Sequence, residues 1–129
     1  MDREVLLVRY GTLAANRRHF ENLFFAVVAF SWFFALALST VIIAFAQTAA
    51  GLALIAGGAI LVGGAFIGRR LMLRERSAFD AMTSTWRDII GSQPPEERTG
   101  LQLGAMTLAA SGQGLVGLIC VVLGAVGLL

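Results

Sequence analysis

Two long runs without a charged residue, 22–68 and 99–129, alternate with two short stretches, 1–21 and 69–98, that carry all of the charge. A hydrocarbon layer of about 30 Å is crossed by roughly 20 helical residues. On that measure the uncharged runs hold three spans, at about 23–46, 49–68 and 110–129. Only Gln47 and Thr48 separate the first two. So short a link joins antiparallel helices as a tight hairpin, which puts both charged stretches on the same membrane face.

The charged stretches have a pattern of their own. Leu6, Tyr10, Leu13, Phe20 and Phe24 recur at helical spacing and predict an amphipathic helix over 1–22, capped by Asp2, that runs into the first span. Glu21 stands three and four residues after Arg18 and Arg17, the spacing of helical ion pairs. Beyond the second span, Met72, Phe79, Met82, Trp86 and Ile89 or Ile90 form an apolar stripe, with Arg76 and Asp80 as an i,i+4 pair on the polar side. The second helix therefore continues to Gly91, where glycine followed by Pro94 and Pro95 stops it. Those prolines, with Glu96 and Glu97 behind them, also suit the start of a third helix some distance before its span. The segment 69–98 is too small for a core of its own. Its stripe must pack on the N-terminal helix, lie among lipid headgroups or bind another subunit.

The expected fold class is thus an all-α integral membrane protein with three transmembrane helices and amphipathic cytoplasmic helices at the N-terminus and over 69–91. It divides into a cytoplasmic lead-in (1–22), a transmembrane hairpin (23–68), a cytoplasmic helix and turn (69–98) and a third helix (99–129) that spans from about 110. Composition agrees: 57% of the 129 residues are hydrophobic and 14% charged, against about one-quarter charged in soluble proteins. Arg3, Arg9, Arg17 and Arg18 precede the first span, and six more arginines fall between the second and third. The positive-inside rule then puts the N-terminus in the cytoplasm and the C-terminus outside. The first apolar run exceeds a signal-peptide core, so the segment is expected to be a retained anchor. Every basic residue is arginine, a composition that suits a GC-rich bacterial genome and hence the inner membrane.

Within the spans the texture changes. The first is bulky, with Phe30, Phe33 and Phe34 on one side and Trp32 on another. Tryptophan normally sits at the interface, but Trp32 falls near mid-bilayer, where its indole N–H must bond within the bundle or the ring must meet a lipid, pigment or quinone. The second span offers Gly57, Gly64 and Gly68, with an Ala59–Gly63 pair, and the third offers Ala110, Gly114, Gly117 and Gly124. Small residues let helix backbones approach in lipid, where association relies on close packing. They serve packing within the chain or form a docking groove for another protein.

Candidate chemistry is sparse. One histidine, His19, and one cysteine, Cys120, are expected on opposite sides of the membrane, and lysine is absent, which removes metal clusters, a Cys-His pair and a phosphate loop. No acidic residue enters a span, although proton-coupled transport usually needs one. Gln113 is the polar group whose burial demands a partner, met by an interhelical hydrogen bond. A net charge of +2 spread over mixed stretches gives no nucleic-acid footprint. The expectation is a non-catalytic accessory subunit of a larger bacterial membrane complex, of the respiratory or photosynthetic kind, without cofactor or small-molecule substrate, partnered by other integral membrane subunits and the lipid bilayer. The alternative is a homo-oligomeric pore walled by Thr107, Ser111, Gln113 and the glycines of the third span.

Overall fold

The computed structural model describes residues 2–45, 49–91 and 100–128 and is helical throughout, with no strand among the described residues. Helix α1 covers Arg3–Phe45, α2 Ala50–Ile90 and α3 Gly100–Leu128. All three are long and apolar enough to cross a membrane. At 1.5 Å per residue, α1 and α2 reach about 60 Å or slightly more, roughly twice a hydrocarbon core, while α3 reaches about 45 Å. The surplus of α1 and α2 is their charged ends, which run alongside each other as one continuous antiparallel stem.

The helix ends follow local chemistry. Asp2 Oδ1 accepts from the Glu4 N–H at 3.4 Å, the geometry of an N-cap. Gly91 adopts φ 71°, ψ 11°, and its N–H closes on the Arg87 carbonyl at 2.7 Å. An L side chain is strained at that φ, so glycine stops α2 where the apolar stripe runs out. The link at Gln47 and Thr48 and the expected helix start near Pro94 lie outside the described residues.

The three helices form a row rather than a closed bundle. α2 packs along α1 on one side and α3 on the other, while α1 and α3 scarcely meet. Their meeting place is a cluster in which Phe24 of α1 joins Met106 and Ala110 of α3, with Val28, Leu71, Met72 and Ala109 against it. Elsewhere α2 keeps two separate faces. Toward α3, Gly51 stands against Gly124 and Gly58 against Gly117, so close that a Cβ on Gly58 would lie 2.5 Å from the Gly117 carbonyl oxygen. Ala65 continues this line against Gly114. The small residues 51, 58 and 65 repeat every seventh position, and so do 110, 117 and 124 on α3. A seven-residue repeat keeps one seam facing its partner along a left-handed supercoil. Toward α1, Gly57 meets Ala35 and Ser39, Gly64 meets Ser31, and Gly68 meets the Phe24 ring.

In the stem the two predicted stripes face each other. Met82 and Ala14 are buried there, and the Tyr10 and Trp86 rings lie 5.0 Å apart. Of the three destinations open to the 69–91 stripe, packing on the N-terminal helix is the one adopted. The outer surface of the apolar segments is lined by exposed side chains such as Phe30, Phe33, Leu36, Leu115 and Leu123. So much exposed apolar surface suits lipid rather than water.

The seam predicts its own sensitivity. Gly58→Ala places a methyl group against the Gly117 backbone and should destabilise the fold by about 1–3 kcal/mol. Gly112→Ala, with nothing within 4 Å of its added Cβ, should be neutral or stabilise by up to about 1 kcal/mol. Titration with a denaturing detergent, followed by circular dichroism, measures both.

Candidate functional site

Two polar stations interrupt the apolar contacts. The first is a crossing at Gly64, where Ser31 from α1 and Gln113 from α3 approach α2 from either side. A side chain on Gly64 would collide with the Ser31 hydroxyl and lie 2.6 Å from the Gln113 amide nitrogen. Glycine is needed here for space rather than for backbone freedom. Ser31 Oγ donates to the Val27 carbonyl one turn back at 2.6 Å. Gln113 Nε2 donates to the Leu61 carbonyl at 3.0 Å across the helix boundary, and the side chain is 2% exposed. Its carbonyl oxygen Oε1 is buried with no hydrogen-bond partner among the described residues. A hydrogen bond of this kind between membrane helices is worth about 0.6–2 kcal/mol.

The second station sits in the stem. Arg17 Nε donates to Glu75 Oε1 at 3.1 Å, with Glu75 fully buried and the Arg17 side chain 12% exposed. The Arg17 guanidinium also lies 4.8 Å from the centre of the Phe79 ring, a cation–π contact. Both residues occupy core positions of their stripes, Arg17 between Leu13 and Phe20, and Glu75 between Met72 and Phe79. Burying two charges costs desolvation that their attraction repays only with good geometry, so such a pair sets register more than it adds stability. Sliding one helix by a turn would leave each charge opposite apolar side chains. Helical spacing pointed to Arg17 only as a partner of Glu21 and gave Glu75 no role. The signal that finds the bridge is one charge of each sign within an otherwise apolar stripe.

The remaining sequence candidates are placed as follows. Gly57, Gly64 and Gly68 are covered by α1, and Gly114, Gly117 and Gly124 by α2. Ala110 is buried in the Phe24–Met106 cluster. Phe30, Phe33 and Phe34 stay together, ring to ring at 6.2 and 5.6 Å, on the exposed side of α1. Trp32 is 38% exposed. Arg76 and Asp80 are both exposed and make no ion pair with each other among the described residues. His19 lies exposed beside Phe20, and Cys120 is half-buried next to Gly58. Among the described residues no three His, Cys, Asp or Glu side chains gather as metal ligands.

An open apolar trough of about 540 Å³ runs between α1 and α2. Gly63 and Gly64 lie at its base, with Phe30, Phe34, Ile60 and Ile67 around them. Gly63 is exposed, as is Ala59 one turn earlier, and nothing stands within 4 Å of where a Gly63 Cβ would be. Comparison with protein families, with curated proteins and with solved structures found no match to this chain.

The stem bridge makes a double-mutant cycle informative. Glu75→Leu or Arg17→Met alone takes the bridge partner from a buried charge and should cost about 3–5 kcal/mol, whereas the double variant should recover most of that loss. Detergent-unfolding midpoints for the three variants and the wild type give the coupling directly.

Proposed function

We propose that the chain is a non-catalytic, multi-pass accessory subunit of a bacterial inner-membrane complex, and that a transmembrane helix of another subunit seats in the trough over Gly63. The observation that carries this reading is the trough itself. It is an apolar furrow in the spanning segment with an exposed small residue at its base, and in lipid small residues are where a second helix backbone can approach. The Ala59–Gly63 pair supplies that small-xxx-small surface on the side of α2 turned away from its neighbours. Phe30 and Phe34 flank it and offer ring area to the incoming helix.

The row arrangement supports the same reading. With α1 and α3 scarcely in contact, open furrows run along α2 on its α1 and α3 flanks. The arginines of the stem, read by the positive-inside rule, favour a cytoplasmic setting for this end of the molecule. There the stem offers a second, polar surface to cytoplasmic portions of a partner. Gln113 weighs against the pore: its amide is engaged by the Leu61 carbonyl inside the chain, instead of being turned toward a shared lumen.

Affinity purification after gentle detergent extraction tests this. The wild type should carry foreign membrane subunits with it. Gly63→Leu fills the trough and should release them while the protein stays folded and inserted, and Gly112→Leu, on α3 away from the trough, should retain them. A wild-type preparation containing this chain alone, as a ring that conducts ions in liposomes, would replace the subunit reading with the pore.

A further inference from the structure

A second groove, of about 630 Å³, lies between α2 and α3 on the exposed side of the seam. It is graded along its length. Arg69 and Arg76 lie toward one end, with Thr107 between them beside Met72; Ser111 and Phe66 follow, and Val62 and Leu118 line the other end. Arg69 directly follows the uncharged span of α2, and Arg76 stands two turns further out on the same face. At 1.5 Å per residue, the reach from Val62 to Arg76 is about 21 Å.

An end of cations and hydroxyls that gives way to hydrocarbon matches a phospholipid standing in one leaflet, with phosphate and glycerol esters at one end and the acyl chain at the other. We propose that the groove binds one anionic phospholipid, its phosphate held by Arg69 and Arg76, its ester region beside Thr107 and Ser111, and a chain lying along Phe66, Val62 and Leu118. The proposal rests on the chain lying in a bilayer, not on its having a protein partner.

Three observations favour this occupant. Among the described residues no carboxylate lines the groove, and Arg69 and Arg76 make no ion pair with any of them. The charge complement must then come from outside this set. Glu75, which belongs to the same helical stretch, bonds Arg17 on the face of α2 that meets α1. Thr107 Oγ1 donates to the Met72 thioether at 3.7 Å, a weak acceptor that an ester oxygen or phosphate readily replaces. The volume falls within the roughly 300–1,000 Å³ of small-molecule sites. Arginine is also well suited to phosphate, its planar fork giving paired hydrogen bonds. The other arginines of this stretch have different settings: Arg70 lies over the Phe66 ring at 5.0 Å, and neither Arg70 nor Arg74 lines the groove.

The test is native mass spectrometry of the full chain released from nanodiscs that contain equimolar phosphatidylglycerol and phosphatidylcholine. The wild type should retain one phosphatidylglycerol in strong preference. At about fivefold per arginine, Arg69→Gln with Arg76→Gln should cut that preference roughly 25-fold. Arg70→Gln with Arg74→Gln removes the same charge outside the groove and should leave the preference within about twofold. Ser111→Trp fills the groove at an exposed position with every charge in place, and should abolish retention. Equal retention of the two lipids by the wild type would overturn the site. So would equal losses in the two arginine pairs, which would reduce the groove to a diffuse basic collar, or full retention in Ser111→Trp. A polypeptide found in the groove in place of lipid would also overturn it.

Discussion

Close backbone approach is the constraint on which this structure depends. Lipid tails are as apolar as leucine, so helices in a membrane gain little by hiding apolar side chains from their surroundings and hold together where their backbones come near. α2 achieves this on two sides at once. Its glycines at 51 and 58 press against glycines of α3, while those at 57, 64 and 68 admit side chains of α1. Because these residues are small, α2 can sit in the middle of the row. The same economy leaves furrows on either side of the contacts, since the bulky residues of α1 and α3 point largely outward.

Outside the apolar zone the constraint changes. There the charged stem of α1 and α2 packs Tyr10 on Trp86, with Ala14 and Met82 buried, by the ordinary hydrophobic logic. A stem built from two smooth apolar stripes would have several near-equivalent registers. Arg17 and Glu75 remove that freedom, because a slip leaves two desolvated charges without each other. The register set in the stem is continuous with the one in the apolar segment, through Gly68 on Phe24 and Gly64 on Ser31. The two regimes therefore support one alignment of α1 on α2.

Much of this was legible in the residues. The absence of charge over long runs announces three helices long and apolar enough to cross a membrane, the stripe through Met72 and Met82 announces that α2 runs on past its uncharged stretch, and Gly91 announces where it stops. Asp2 as a cap follows from residue type and place. Partner assignment did not follow, for a physical reason: helical period says which residues share a face, and says nothing of which helix that face meets. Gly57 and Gly58 are adjacent in the chain and point to different neighbours. Gly63 and Gly64 differ more, one open and the other closed between Ser31 and Gln113. The Arg17–Glu75 bridge was missed because a charge on a helix is usually solvated, and only its position inside an apolar stripe marks it as buried. The trough over Gly63 and the graded groove beside Arg69 are properties of helix pairs, so no single stretch of sequence displays them.

The central claim is that α2 stands between α1 and α3 and contacts each by a separate small-residue face. Disulfide trapping in native membranes, in a Cys120→Ala background, tests it most directly. Ideal Cβ positions place Gly57 3.9 Å from the Ala35 Cβ and Gly114 3.3 Å from the Ala65 Cβ, near the mean of about 3.8 Å for a disulfide. Cysteines at 35 and 57, and separately at 65 and 114, should each cross-link within one chain on mild oxidation, while cysteines at 35 and 114 should stay reduced. Efficient cross-linking of the 35 and 114 pair, or failure of both of the others, would contradict the central position of α2.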